Sequence, residues 1–253
     1  DAEKIKGILL DLGEDAAEFH IVNNLPGKNE AETAVELLRS GDANFLMKGM
    51  METSSFLRPV VRTENGLRTG RAMSHIAFHH LPGWRKMMVI TDGGMYPYPD
   101  LKGKKEIIAN VLDTLCRIGY EFPKIACICC KETADPKMPE TMDALALKQA
   151  CAAGELGSCF VEGPISYDIA MSAQLAAVKK FDCPYAGDFD VLLVPNIHTG
   201  NILSKSWILN NASTMAGIVA GARVPIVLTS RGSSPQEKYL SVAFASLVSA
   251  AEN

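Results

Sequence analysis

Short apolar runs and longer amphipathic stretches alternate along the 253 residues. The short runs lie at 18–22, 45–47, 74–78, 87–90, 125–129, 159–161, 191–194, 217–219 and 225–228, and they read as strands. Between most of them apolar residues return at helical spacing. Residues 101–119 carry Ile107, Ile108, Val111, Leu112, Leu115 and Ile118 on one stripe, and 30–40, 139–153, 166–180 and 235–250 are similar. The helix over 30–40 runs into Gly41, a residue suited to a left-handed C-cap. Near-continuous apolar strands separated by helices predict parallel sheets covered by helices on both sides.

Composition narrows this picture only slightly. With 47% hydrophobic and 21% charged residues the chain can build a large core, as one large domain or two moderate ones. A net charge of −4, from 25 basic and 29 acidic residues, gives no reason to expect a nucleic-acid partner. No apolar run approaches the roughly 20 residues that span a bilayer, so no membrane partner is expected. Seven cysteines are present, and Cys127, Cys129 and Cys130 could suggest a metal site. They sit in the strand-type run IACICC, where buried free thiols are expected instead, and this usage fits a reducing cytoplasm. The chain opens on Asp1 and enters a helical pattern at once. A further segment in front of it is therefore expected, and the opening residues do not read as a secretory leader.

In α/β folds ligands bind beyond the C-terminal ends of strands. Polar clusters that follow the predicted strands therefore come first as candidates. They are KGMMETSSFLRP (48–59), TDGGMYPYPD (91–100), EGPISYD (162–168), PNIHTGNILSKS (195–206) and TSRGSSPQE (229–237). Two of them look like anion cradles. Thr53, Ser54 and Ser55 precede a predicted helix that carries Arg58 about one turn in. Ser230, Arg231 and Gly232 precede a helix that Ser233 or Ser234 can cap, with Pro235 in its first turn. A helix N-terminus offers free N–H groups and partial positive charge, hydroxyls add hydrogen bonds, and arginine adds a bidentate fork. The plainer alternatives stay open at this point: a turn and N-cap at 230–234, a solvated Arg58, a tight turn at Asp92-Gly93-Gly94, and Asx turns at Asn196 and Asn201.

Taken together, these clusters resemble the phosphate acetyltransferase and phosphate butyryltransferase family. LLVPNIHTGNILSKS (192–206) is similar to its strand followed by P-N/D-x-x-x-G-N-I-x-x-K, and PIVLTSRGSS (225–234) to its P-x-x-x-x-SRG segment. MKGMMETSSFLRPVV (47–61), GLRTGRAMSH (66–75) and TDGGMYPYPDLKGKKEII (91–108) resemble the butyryl branch more closely. AGDFDVLL (186–193) and EGPISYD also match, so the resemblance covers most of the chain in order.

The resemblance implies a two-lobed α/β/α sandwich like that of isocitrate and isopropylmalate dehydrogenases, with the active site in the inter-lobe cleft. One lobe would be residues 1–73 plus 217–253, lacking a βα unit that relatives carry in front. The other would be 74–216 and would form a homodimer. The implied reaction interconverts a short-chain acyl-CoA plus inorganic phosphate with acyl phosphate plus coenzyme A, the butyryl-like phrases favouring about four carbons. Coenzyme A and phosphate are then substrates, with no bound cofactor and no metal. By match to the family motifs, Arg58 and Arg231 would hold phosphate and Ser230 the acyl group. Glu237 stands where acetyl-type members place an acidic base for the CoA thiol, and another arginine of those members has no match. Thr53, Ser54, Ser55, Asp92, Asn196, Thr199, Gly200, Asn201, Lys205 and Gly232 are expected to bind substrate. Two alternatives come from other classes. One is an NAD(P)-dependent dehydrogenase of the same fold, holding a metal through Asp92, Asp188 and Asp190. The other is a non-catalytic paralogue that binds CoA or acyl phosphate.

Overall fold

The computed structural model describes residues 1–210, 213–230 and 232–250. Among them are eight strands: β1 (Leu46–Met47), β2 (Ser74–His80), β3 (Met88–Thr91), β4 (Lys124–Cys129), β5 (Phe160–Ser166), β6 (Val191–Leu193), β7 (Thr214–Ala220) and β8 (Ile226–Val227). The α-helices are α1 (Ala2–Leu12), α2 (Glu30–Ser40), α3 (Thr53–Val60), α4 (Leu101–Arg117), α5 (Pro139–Ala152), α6 (Tyr167–Met171), α7 (Ala173–Val178), α8 (Ile197–Leu209) and α9 (Pro235–Ala250).

The strands form one sheet in the order β1-β8-β7-β2-β3-β6-β4-β5. It is mixed, where the apolar runs predicted parallel pairing alone. β3, β6, β4 and β5 are mutually parallel because helices connect them in sequence, and β1 lies parallel to β8. β2 runs antiparallel to β3 and β7, and β7 antiparallel to β8. The physical reason is loop length. β2 reaches β3, and β7 reaches β8, through connections too short for a crossover helix. The β7–β8 turn needs Gly221, at φ +89°, where a Cβ would lie 2.6 Å from the Ala72 carbonyl oxygen.

Burial follows the two-residue period of β2. Ile76 and Phe78 enter an apolar layer with α4, α5 and α9, while Ala77 enters the opposite layer with Ile90, Leu192 and Trp207. A third cluster joins Val35 and Leu38 of α2, Phe56 and Val60 of α3, and Ile226 of β8.

Three predicted elements differ. Residues 18–22 form no strand; a short 3₁₀ turn, Ala16–Glu18, stands there, capped by Asp15, and no neighbouring strand offers it a ladder. The helix over 166–180 breaks at Ser172, whose extended backbone ends α6 while its Oγ accepts the Leu175 N–H and starts α7. The strand at 159–161 runs on to Ser166, so EGPIS is strand and not a cluster beyond it. β5 tolerates Pro164 because it is the last strand of the sheet.

Candidate active site

One cleft of about 670 Å³ opens beside the ends of β3 and β8. It collects Thr53, Gly200, Asn201, Lys205, Ser230, Gly232 and Glu237 from three separate stretches of chain. Arg231 lies outside the described residues. Its neighbours define a turn in which Ser230 Oγ accepts the Gly232 N–H at 3.3 Å and the Ser230 carbonyl accepts the Ser233 N–H at 3.1 Å.

Each wall has a local cause. Asn196 starts α8 by accepting the Thr199 N–H at 3.1 Å and the Thr199 hydroxyl at 3.2 Å, which places both residues in the cap and leaves Gly200, Asn201 and Lys205 to face the cleft. Gly200 is required for space. A Cβ there would lie 2.7 Å from Gly93 Cα, and Asn201 Nδ2 donates to the Gly93 carbonyl at 3.3 Å, so α8 abuts the loop after β3. α9 begins with a reciprocal cap: the Ser234 N–H donates to Glu237 Oε2 at 2.8 Å, and the Glu237 N–H donates to Ser234 Oγ at 3.2 Å. This buries Glu237 at the cleft edge.

The remaining expected residues lie outside the cleft lining. Ser54, Ser55 and Arg58 are exposed on α3, which begins at Thr53 itself. Asp92 is buried and fully occupied as a scaffold. Its Oδ1 accepts the N–H groups of Gly94 and Met95, and its Oδ2 those of His75 and Tyr96. The other carboxylates weighed for a dehydrogenase are committed elsewhere. Asp188 pairs with Arg85, Lys86 and Lys124, and Asp190 with Lys86. Among the described residues no group of three or more His, Cys, Asp or Glu side chains could hold a metal ion. Burial pushes the Cys127 thiol up and that of Cys129 up to about 11, and neither lines the cleft.

Three cleft residues escaped the sequence reading. Lys48 is only 8% exposed, and its Nζ donates to the carbonyls of Gly49 at 3.1 Å and Met51 at 3.0 Å. An ammonium has three donors, so one remains. The lysine stands beside the start of α3, where no side chain caps the helix among the described residues. His75, on β2, also lines the cleft, as does Ser204 of α8. Ser204 Oγ lies 2.9 Å from His79 Nε2, and His79 Nδ1 lies 2.6 Å from Ser213 Oγ. The only sequence signals were a lysine at a strand exit and histidines at even spacing along a strand.

His79 has a consequence for stability. Burial, with a smaller contribution from nearby His75, lowers its pKa to about 3. The unfolded chain takes up this proton near pH 6.5 and the folded chain refuses it, so stability is lost as pH falls from about 6.5 toward 3. At about 1.4 kcal/mol per pH unit, the loss from this group between pH 6.5 and 5 is about 2 kcal/mol. Urea midpoints at the two pH values measure it, and His79→Gln is expected to flatten that slope.

Comparison with known proteins places these features in a wider set. Residues 2–246 match the family model described as "Phosphate acetyl/butaryl transferase". The chain is 41% identical over 248 residues to a phosphate butyryltransferase of Clostridium acetobutylicum, covering 98% of this chain and 82% of that one. A branched-chain phosphotransacylase structure from Enterococcus faecalis superposes with a TM-score of 0.81 at 30% identity, covering 95% and 94% of the two chains. A 4-hydroxythreonine-4-phosphate dehydrogenase from Klebsiella pneumoniae reaches a TM-score of 0.50 at 12% identity, covering 87% and 69%, a likeness of fold alone.

Proposed function

Because the chain belongs to the phosphate acetyl/butaryl transferase family, we propose that it moves a short acyl group between the thiol of coenzyme A and inorganic phosphate, and that it does so in this cleft. The observation that carries this reading is the division of labour around the cleft. Of the helices whose first turns reach it, α8 and α9 are capped by Asn196 and Ser234, whereas among the described residues no side chain caps α3, which has the buried Lys48 beside it. That corner suits phosphate. Apolar Ala77, Ile90, Met215 and Val219 suit the acyl chain, and the relative at 41% identity supports a butyryl-sized one. Glu237 and the Ser230–Gly232 turn suit the thiol and the reacting carbonyl.

In the direction from acyl phosphate, the Glu237 carboxylate takes the thiol proton, since the thiolate is the nucleophile. Sulfur bonds to the carbonyl carbon, the bond from that carbon to the phosphate oxygen breaks, and phosphate leaves with the electron pair. Ser230 and main-chain N–H groups hold the carbonyl oxygen. Arg231 and the Lys48 corner hold phosphate, with Arg58 an outer contributor to that charge. No step is assigned to a resident cofactor or metal.

The division into lobes, 1–73 with 217–253 against 74–216, belongs to the same reading, as do a homodimer and a cytoplasmic setting. It is supported by the separate apolar cluster of α2, α3 and β8 and by a cleft lined from both ranges. No described helix is long and apolar enough to cross a membrane.

Release of free thiol from butyryl-CoA and acetyl-CoA, with and without phosphate, tests the function. Phosphate-dependent release is expected, faster with butyryl-CoA. Release that ignores phosphate, or CoA binding without release, sinks the proposal. Within it, Lys48→Met removes a charge-assisted contact of about 1.5–3 kcal/mol and is expected to raise the KM for phosphate about ten- to a hundredfold. Initial rates against phosphate concentration read this out.

A further inference from the structure

The cleft wall holds a histidine, His75, with no role in the scheme above. His75 and His79 both project from the face of β2 that carries Ala77. They are held differently. His79 has both ring nitrogens engaged by serine hydroxyls, whereas His75 Nδ1 is shut off from solvent with no hydrogen-bond partner among the described residues.

Space has been cleared for this ring on both sides. A Cβ on Gly217 of β7 would stand 2.7 Å from His75 Nε2, and a Cβ on Gly94 would stand 2.9 Å from His75 Cγ. Neither glycine has a positive φ, so both serve close approach and not backbone conformation. The main chain is clamped as well. The His75 N–H donates to Asp92 Oδ2 at 3.0 Å, and its carbonyl accepts from Thr91 Oγ1 at 2.9 Å. Asp92 is spent on four main-chain N–H groups, and among the described residues it makes no hydrogen bond to the ring. It shapes the loop of Gly94 around the ring.

A neutral imidazole has one N–H and one bare nitrogen. Putting the proton on Nδ1 would bury an unpaired donor. Putting it on Nε2 leaves the donor on the edge by which the ring can reach the cleft. Burial also holds the ring below its usual pKa, against the opposing field of Asp92, so it stays neutral near pH 7. A rigid neutral donor beside an apolar patch is what a carbonyl oxygen gaining negative charge requires.

We propose that His75 is a catalytic residue that donates its Nε2–H to the acyl carbonyl oxygen as charge develops on it. This rests on the acyl-transfer reading and adds a donor from β2, which only β7 separates from the β8 strand that leads into the Ser230 turn. The donor stays on the histidine throughout, so no proton or electron changes owner in this contact.

His75→Leu and His75→Gln in the full chain, assayed by phosphate-dependent thiol release, test it. The leucine variant is expected to lower kcat about ten- to a hundredfold. Its KM values should stay within about twofold, because the contact strengthens only in the transition state. Glutamine, whose amide N–H can occupy a similar place, is expected to recover most of kcat. In wild-type protein, ¹⁵N spectra of His75 should show the proton on Nε2 at pH 7. Wild-type kcat in the leucine variant overturns the proposal. So does a glutamine variant as slow as leucine with an unchanged unfolding midpoint, or a proton found on Nδ1. Those results leave acyl transfer standing. A wild type that releases no thiol removes both.

Discussion

Glu237→Gln is expected to slow turnover by about 10²–10⁴-fold while the unfolding midpoint stays where it is. The separation is possible because Glu237 carries two burdens. Its Oε2 accepts the Ser234 N–H and completes the cap of α9, a task that glutamine performs equally well. Its basicity is the property needed to take a thiol proton, and glutamine has none. Alanine is the poorer probe, since it also removes the cap, a loss of about 0.5–2 kcal/mol. Stopped-time thiol release at saturating substrate, beside a urea titration, distinguishes the two roles. A glutamine variant with wild-type kcat would make Glu237 a helix cap and nothing more.

The second large effect belongs to Arg231→Ala, for which a fall in kcat of roughly a hundredfold or more is expected, from about 2.7–4 kcal/mol of lost transition-state stabilisation. Ser230 and Gly232 on either side both line the cleft. An arginine between them can present a planar fork to a phosphoryl group, two parallel N–H donors that a lysine cannot reproduce. Arg231→Lys should therefore recover only a minor part of the loss. Near-normal turnover of the alanine variant at saturating substrate would take Arg231 out of the mechanism.

Much of this arrangement was legible in the chain because it is local. The α2 and α9 boundaries at Glu30, Ser40, Pro235 and Ala250 follow from the caps and the apolar stripe, and the structure reproduces them. The serine before Pro235 caps α9 as its composition suggested. Misses came from interactions across long separations. Residues 18–22 alternate like a strand, but no partner strand lies beside them. The direction of β2 depends on its neighbours β3 and β7, which periodicity does not encode. Lys48 looked like one more polar residue after a strand, because its burial comes from the turn that folds Gly49 and Met51 back over it. The His79–Ser204 contact joins positions 125 apart. Asp92, expected to bind substrate and also open to a tight-turn reading beside its two glycines, has both oxygens occupied by main-chain N–H groups.

The edge position of β1 bears on how the chain is made. Among the described residues β1 has one neighbour, β8, and their pairing joins Leu46 to Ile226. When the nascent chain emerges, α2, α3 and β1 leave the ribosome long before the strand that completes their layer. Translation at about 5–20 residues per second keeps Val35, Leu38, Phe56 and Val60 waiting about 10–40 s for Ile226. During that interval the apolar faces of α2 and α3 lack the strand that covers them, which makes this segment a natural client for a chaperone.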